Sequence, residues 1–503
     1  MAEIVIIGGG VSGLSAGIYS ALGGHRVRIY EKHTEPGGNL TGWQRGSYHI
    51  DNCIHWLTGT CKESSLYRTW VELGALGGGV RIIKQDTLYT VEHDGESLSL
   101  YRDLDRCERE MLDASGKDAR KTRELIRAVR ALQRLSGLCR DSRTPGYVGA
   151  RSVLSAPLLL KYHLMSTGEL TQSFRSPLLK KFVTAFFGTE FSALALITVI
   201  AHFTADNGDI PEGGSRAMAR RMSERFISLG GELFTGKRAV KVELKDGRAE
   251  AVLFSDGERV VADYVIVATE PYAAFGSMID LPLPKRLKRD LSDGRLFRFS
   301  SYHCAFSCST DVLPFEGDHI LEVPEEYRRV LGSGTLIVRS LSHDSEFAPE
   351  GRCVIQSMVF CDEESSREFI RLCREDKREY KRLKDKLAIT AEYLICERFP
   401  GLKGRIKIID AWTPATYNRY TAAQTGSYMA FAIPKGYIPG AISPAVRGAS
   451  NLFLATQWQS PPGGLPNAAL AGKRAAEAIA AREKRAVRVK TRRAGRVRAA
   501  GKI

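Results

Sequence analysis

The chain has 503 residues, 43% hydrophobic and 26% charged, an ordinary balance for a folded protein and enough length for two or more domains. Its ten cysteines are scattered without a Cys-x-x-Cys pair, which excludes a disulfide frame or a zinc ribbon and points to reduced thiols in a cytoplasmic protein. The net charge of +16 is uneven: residues 482–503 hold ten Lys/Arg against one acid, Glu483.

The chain opens on a strand–turn–helix–strand unit. Ala2 to Ile7 is a short β-branched run and reads as a buried strand; because it begins at residue 2, no signal peptide is expected ahead of it. The run stops at Gly8-Gly9-Gly10, and the spacing Gly8-x-Gly10-x-x-Gly13 fits a dinucleotide-binding turn. In such a turn the first glycine bends the chain, the second lets backbone approach a pyrophosphate and the third lets helix pack on strand. A helix runs on from about Val11 to Leu22, its N-terminal N–H groups and partial positive charge aimed at the phosphates. A second strand, Arg26 to Tyr30, ends at Glu31, 18 residues past Gly13, near the ~20 expected of a ribose-hydroxyl acceptor.

Next comes Pro36-Gly37-Gly38, a second glycine loop whose N–H groups could face a flavin ring or its ribityl chain. Alternation then sets in around Tyr48 to Ile54. His55, four residues past Asp51, is a candidate acid or base because an imidazole titrates near neutrality; the alternative is a hydrogen-bonded structural histidine. Cys53 is read as a buried inert thiol.

Residues 63–206 form a further unit, largely helical. Leu125, Val129, Leu132 and Leu135 share one side of a helix whose charged side is read as solvated. Pro145-Gly146, Pro157 and Pro177 divide the stretch after that helix into several helices and loops. The window Phe182 to Phe203 carries Gly188, Glu190 and His202, so a buried helix is expected rather than a membrane span. The alternative is a monotopic contact through which a lipid-like substrate enters. Residues 207–274 return to α/β character: a helix from Ser215 to Leu229, then strands Gly236–Leu244, Ala249–Phe254 and Arg259–Ala262 joined at Asp246-Gly247 and Asp256-Gly257, then a buried strand Tyr264–Ala268. Residues 275–439 mix strands such as "RFSSYHCAFSC" and "RCVIQSMVF" with one or two charged helices. The last unit runs from a strand, Asn451–Ala455, through a Pro/Gly loop into a helix near Asn467. The basic tail 482–503 is expected to be disordered, as a solvated tail or one drawn to anionic lipid. No specific nucleic-acid partner is expected, because the tail lacks interleaved aromatics. No metal-ligand cluster, nucleophile elbow or Walker loop is present.

Five blocks together resemble the FAD-dependent phytoene desaturase, carotenoid isomerase and retinol saturase group within the amine-oxidase-like flavoproteins: "GGGVSGLSAG"; "EPGGNLTG"; "IPEGGSRAMARRM" with "GGELFTGKRAVKVELKDG"; "WTPATYNRYTAAQTGSYMA"; and "NLFLATQWQSPPGGLPNAALAGKRAA". The resemblance implies an α/β fold: a Rossmann-type, glutathione-reductase-like FAD-binding domain assembled from 1–62, 207–274 and 440–481, plus an α+β substrate domain, mixed sheet and helices, from 63–206 and 275–439. It implies that FAD is held by Gly8, Gly10, Val11, Ser12 and Gly13, with Glu31 and Lys32 beside the adenosine ribose. Gly37, Gly38, Asn39 and Leu40 would run along the flavin, the backbone of Val240 would meet adenine, Ala268 and Thr269 would lie by the pyrophosphate, and Gly463, Gly464, Leu465 and Pro466 would present N–H groups to the flavin ring. Ile50-Asp51-Asn52-Cys53 departs from the family's pattern, which has a glycine there, so the substrate-facing surface is expected to differ. Trp458 and Tyr417 are read as core aromatics rather than as an amine-oxidase cage.

The implied activity is desaturation, saturation or isomerisation of C–C bonds in a hydrophobic polyene or isoprenoid-like substrate, with hydride transfer at flavin N5 and NAD(P)H, a quinone or oxygen as electron partner. The rivals are a flavin amine or amino-acid oxidase and a non-catalytic lipid-binding protein like the Rab GDP-dissociation inhibitors. The expected location is cytoplasmic, with room for peripheral contact with a membrane.

Overall fold

The computed structural model describes residues 1–136, 148–186, 188–292, 294, 296, 298, 300–438, 440 and 442–499, with backbone alone at 148–154 and 485–499. The expected turn at Pro145-Gly146 lies outside them. The chain divides into two compact units: 1–38, 219–292 and 440–503 form the first, 39–218 and 293–439 the second. It passes from one to the other at Gly38–Asn39.

The first unit is built on a five-stranded parallel sheet. Strand β1 (Glu3–Ile7) lies between β2 (Arg26–Tyr30) and Tyr264–Val267, with Glu232–Phe234 and Leu452–Leu454 at the edges. Ile4, Ile6, Val265 and Phe453 are fully buried, as parallel strands covered on both faces require. Asp246-Gly247 joins Ala239–Lys245 to Arg248–Phe254, both turn residues at positive φ, the geometry that matches strand twist.

Helix α1 (Val11–Leu22) and the C-terminal helix (Leu465–Ala499) cross in contact. A Cβ on Gly472 would stand 2.3 Å from the Ser12 carbonyl oxygen, so this crossing demands glycine. Ser15 Oγ donates to the Ala469 carbonyl at 2.6 Å, and the Lys473 ammonium lies 4.6 Å from the centre of the Tyr19 ring. Four residues along each helix, in the same order, separate those two contacts. The helices therefore run in the same direction, and their N-termini emerge at the same end. The backbone stays helical to Ala499, where composition predicts disorder; Ala, Arg and Lys are strong helix formers and no proline interrupts them.

The second unit centres on a seven-stranded sheet, in the order Lys407–Trp412, Ser300–Ser309, Arg352–Cys361, Thr335–Ser340, Asp318–Glu322, Thr87–His93, Glu96–Tyr101. All neighbours are antiparallel except the parallel pair Asp318–Glu322 with Thr87–His93. Alternation along Ser300–Ser309 gives the strand two characters. Tyr302, Cys304, Phe306 and Cys308 pack against Leu387, Ala391, Leu394 and Ile395 of the helix Lys377–Arg398. Ser301, His303, Ala305 and Ser307 point the other way.

The window Phe182–Phe203 is not one helix. Pro177–Thr184 and Ala193–Phe203 are separate, divided by Gly188 at φ +59° and restarted by Ser192, whose side chain accepts from Leu194 N. Phe182, Leu196, Ile197, Ile200 and Phe203 are buried in the helical core of this unit. Among the described residues no helix is long and apolar enough to cross a membrane.

Replacing Gly472 by Val should push the C-terminal helix off α1 and cost on the order of 1–3 kcal/mol, read as a lower midpoint in urea; an unchanged midpoint would mean the helices do not pack as closely as described.

Candidate flavin cradle and polar sheet face

The first glycine loop is shaped by contacts that leave no room for side chains at two positions and open room at a third. Gly8 lies at φ +104°, and a Cβ there would stand 2.9 Å from the Ala268 carbonyl oxygen; on Gly13 it would stand 1.9 Å from the Gly8 oxygen. On Gly10 it would meet nothing nearer than 3.8 Å, those neighbours being the Gly37 oxygen and Gly38 Cα. Gly37 N donates to the Gly9 carbonyl at 2.8 Å, and Gly10 and Gly37 form a parallel bridge, so the two glycine loops lie against each other. Helix α1 starts from Gly10 with no side-chain cap and no acid in its first turn. The N–H groups at Val11, Ser12 and Gly13 thus keep the free donors and positive end that an anion needs.

Glu31 is buried, with Oε2 accepting from Gly9 N at 2.7 Å and Oε1 from His33 N at 2.9 Å. Each oxygen retains a lone pair for a further donor. Lys32 is its neighbour in sequence, its ammonium pKa lowered by burial. Ala268 and Thr269 lie directly against Gly8. Val240 is the extra residue of a β-bulge between Ala239 and Lys241, so its backbone N–H and C=O stand off the ladder. In the C-terminal loop Gly464, at φ +129°, donates its N–H to Gln457 Oε1 at 2.7 Å. Pro466 has no N–H, which leaves Gly463 and Leu465 as that loop's remaining donors. A crevice between glycines that a Cβ would fill, uncapped helix N–H groups and a buried ribose-type acceptor suit a dinucleotide such as FAD.

The second unit carries a polar group on the sheet face opposite the long helices. Asn39 opens it: its Nδ2 donates to the Tyr428 carbonyl at 2.8 Å, its carbonyl accepts from Asn52 Nδ2 at 3.2 Å, and Leu40 beside it is buried. Asn52 Oδ1 accepts from Tyr417 Oη at 3.0 Å. Tyr417 Oη also lies 3.1 Å from His303 Nε2 and accepts from Trp412 Nε1 at 3.1 Å. The His303 ring stacks on Trp412, with centroids 4.7 Å apart and planes 1° apart. Burial, then His55 and Arg339, hold this imidazole well below its ordinary pKa. Asp51 is a locking residue: its carboxylate accepts from Ser215 N and Ser215 Oγ, both at 2.6 Å, and from Cys53 N at 3.1 Å, fixing the start of the helix Gly214–Ser228.

His55 belongs to a second, adjoining set. Its Nδ1 lies 3.4 Å from Asp318 Oδ2, and Arg339 Nε lies 3.3 Å from Asp318 Oδ1. Arg339 also donates to the Ile54 and His55 carbonyls at 3.1 and 3.5 Å. Burial and the Arg339 charge lower the His55 pKa against the pull of Asp318. Burial alone would raise the Asp318 carboxyl, but Arg339 and then His55 hold it below its usual value. His55 is therefore neutral, with Nδ1–H turned to Asp318 and Nε2 left as a lone-pair acceptor. Burial pushes the Cys53 thiol up to about 12, so it stays protonated. Among the described residues no group of three or more His, Cys, Asp or Glu could hold a metal ion.

Residues 11–480 match the family described as flavin-containing amine oxidoreductase. The chain belongs to that family. It is thus an FAD-dependent oxidoreductase. This flavoprotein is 24% identical over 460 residues to prolycopene isomerase 1, chloroplastic, of an Oncidium hybrid cultivar, covering 87% of this chain and 77% of that protein. It is 21% identical over 515 residues to 4,4'-diaponeurosporene oxygenase of Staphylococcus aureus strain MW2, covering 96% and 98%. An oxidoreductase of Methanosarcina mazei shares the fold, with a TM-score of 0.58 at 17% identity over 93% of this chain and 98% of that one.

Asp318, Arg339 and His303 did not stand out in the sequence. His303 had a signal in the polar alternation Ser301, His303, Ser307; Asp318 and Arg339 meet only through strand pairing. Tyr417 packs in the core as expected, but its hydroxyl is the hub of the polar group.

Gly10→Val should yield protein that folds with little change in midpoint when compared flavin-free, yet keeps no flavin, measured as visible absorbance per chain. Gly13→Ala should fail at folding itself. Acid should destabilise the fold through its buried imidazoles: His49, His55, His303 and His343 all have lowered pKa values, His343 to about 4. Their neutral forms stabilise the fold fully above the unfolded value of ~6.5, and each unit of depression is lost as about 1.4 kcal/mol on acidification. The melting temperature should therefore fall steadily as pH drops from 7 towards 4; a flat profile would contradict the burial described.

Proposed function

We propose that this enzyme acts on C–C bonds of a hydrophobic polyene or isoprenoid-like substrate, by desaturation, saturation or isomerisation. The observation that carries the reading is how the charges of the polar sheet face are committed. Asp318 is paired with Arg339, His55 and His303 are neutral, and the Asp51 carboxylate keeps its charge but is buried and held by Ser215 and by the Cys53 and Ile54 N–H groups. An ammonium substrate would need an accessible, unpaired carboxylate there; an uncharged polyene needs none. The relatives named for carotenoid chemistry, matched over most of this chain, support the same substrate class.

Gly8, Gly10, Gly13 and Glu31 would hold the ADP half of FAD, and Gly37 and Gly38 with Gly463 to Pro466 the flavin half. FAD when bound supplies hydride acceptance or donation at N5. The chain's own residues do the rest. His55, neutral with Nδ1 held by Asp318, offers Nε2 to take a proton from the substrate, or to return it in the reverse direction. Asp318 and Arg339 fix the tautomer and position of that ring. The Asn52–Tyr417–His303 group holds Asn39 in place through its carbonyl. NAD(P)H is the proposed electron partner for the saturating direction.

His55→Gln should leave flavin content unchanged and lower turnover by about 100-fold or more; turnover within about threefold of wild type would remove His55 from the chemistry. The family's own description favours a second reading, amine oxidation. Anaerobic mixing with acyclic polyenes should change the flavin spectrum, whereas primary amines should leave it unchanged and release no hydrogen peroxide in air. The reverse pattern would make the enzyme an amine oxidase.

A further inference from the structure

The helix Ala119–Leu135 carries arginine at 120, 123, 127, 130 and 134. Spacings of three and four place all five on one side, away from the buried Leu125, Ile126 and Val129. Arg130 pairs with Asp105 at 2.6 Å and Glu108 at 2.9 Å. Arg120, Arg123, Arg127 and Arg134 form no ion pair with a carboxylate among the described residues. Four of the five, with Glu108, line an open cleft of about 410 Å³.

The other charged helices of the same unit are built differently. On Glu363–Glu375 and Lys377–Arg398, Arg367, Arg371, Lys381 and Arg382 each pair with an acid three or four residues away. Like charges at that spacing oppose helix formation. The arginine stripe therefore works against its own helix, where the neighbouring design does not.

Large aliphatic side chains stand exposed beside it. The helix Val148–His163 is tied to the arginine helix by the Lys161–Glu124 ion pair; Leu160 in its last turn and Leu164 just past its end are 55% and 57% exposed. Gly436 N donates to the His163 carbonyl at 2.7 Å, which brings up Ile438, 78% exposed and second only to Met1 among the large apolar side chains of the described residues. Cations with aliphatic neighbours and no exposed ring in this group do not suit stacked bases. They suit an interface where guanidinium meets lipid phosphate and leucine enters the acyl boundary.

We infer that this face of the second unit, centred on Arg120, Arg123 and Arg127 with Leu160, Leu164 and Ile438, docks on an anionic lipid bilayer. The apolar window Phe182–Phe203 is buried and takes no part. The inference goes beyond the substrate reading and stands without it, since its readout needs neither substrate nor turnover.

The test is co-sedimentation of the full-length, flavin-loaded protein with vesicles of phosphatidylcholine alone or mixed with phosphatidylglycerol. Binding should require phosphatidylglycerol and weaken with salt. The triple variant Arg120→Gln, Arg123→Gln, Arg127→Gln, whose basic tail is intact, should bind more than about tenfold more weakly with unchanged flavin content and melting temperature. Leu160→Ser with Leu164→Ser should weaken the binding that survives high salt. Wild-type binding by the triple variant would overturn the inference and move any lipid contact to the tail. So would full competition by millimolar inorganic phosphate, the mark of an isolated anion site, or tighter stripe-dependent binding of a single-stranded oligonucleotide than of vesicles.

Discussion

The crossing of α1 with the C-terminal helix is the constraint on which the FAD unit depends. Residues more than 450 positions apart meet there: Ser15 with Ala469 and Tyr19 with Lys473. Only glycine at 472 allows the approach. Because the helices run the same way, two helix N-termini come out at one end of the parallel sheet, that of α1 without a side-chain cap. A single helix terminus offers a partial positive charge; two at one end offer donors to an extended anionic cofactor along more of its length. The glycine loops then set the fine shape, Gly10 open and Gly8 and Gly13 closed.

In the second unit polarity is concentrated on one sheet face and balanced within it. Asp318 with Arg339, Asp51 with Ser215, and His303 with Tyr417 each satisfy what burial would otherwise penalise. These contacts leave neutral imidazoles on a face whose carboxylates are all committed to partners. Asn39 links this face to the glycine cradle along the chain, since it comes directly after Gly38.

The sequence made the FAD unit legible because its constraints are local. Gly8, Gly10, Gly13 and Glu31 sit within one strand–helix–strand unit, and their spacing alone marks the turn, although the contact that demands glycine at position 8 comes from Ala268 on a distant strand end. The C-terminal loop was legible only through resemblance, and that route could not foresee that Gln457 takes the Gly464 N–H. His55 could be singled out by residue type, but its partners could not: Asp318 and Arg339 lie on neighbouring strands distant from it in sequence. The window Phe182–Phe203 misled in the other direction. Its apolar content reads as one helix, while Gly188 and the Ser192 cap divide it. The tail shows the limit of composition, because a run of Ala, Arg and Lys satisfies a helix as readily as it satisfies a disordered chain.

The central claim is that both ends of the polypeptide hold one flavin. Hydrogen–deuterium exchange of the flavin-free protein with and without added FAD tests it most directly. The account predicts slowed exchange at the amides from Gly10 to Gly13 and also at Gly463 and Leu465. Protection confined to the N-terminal loop, with the C-terminal loop unchanged, would contradict it.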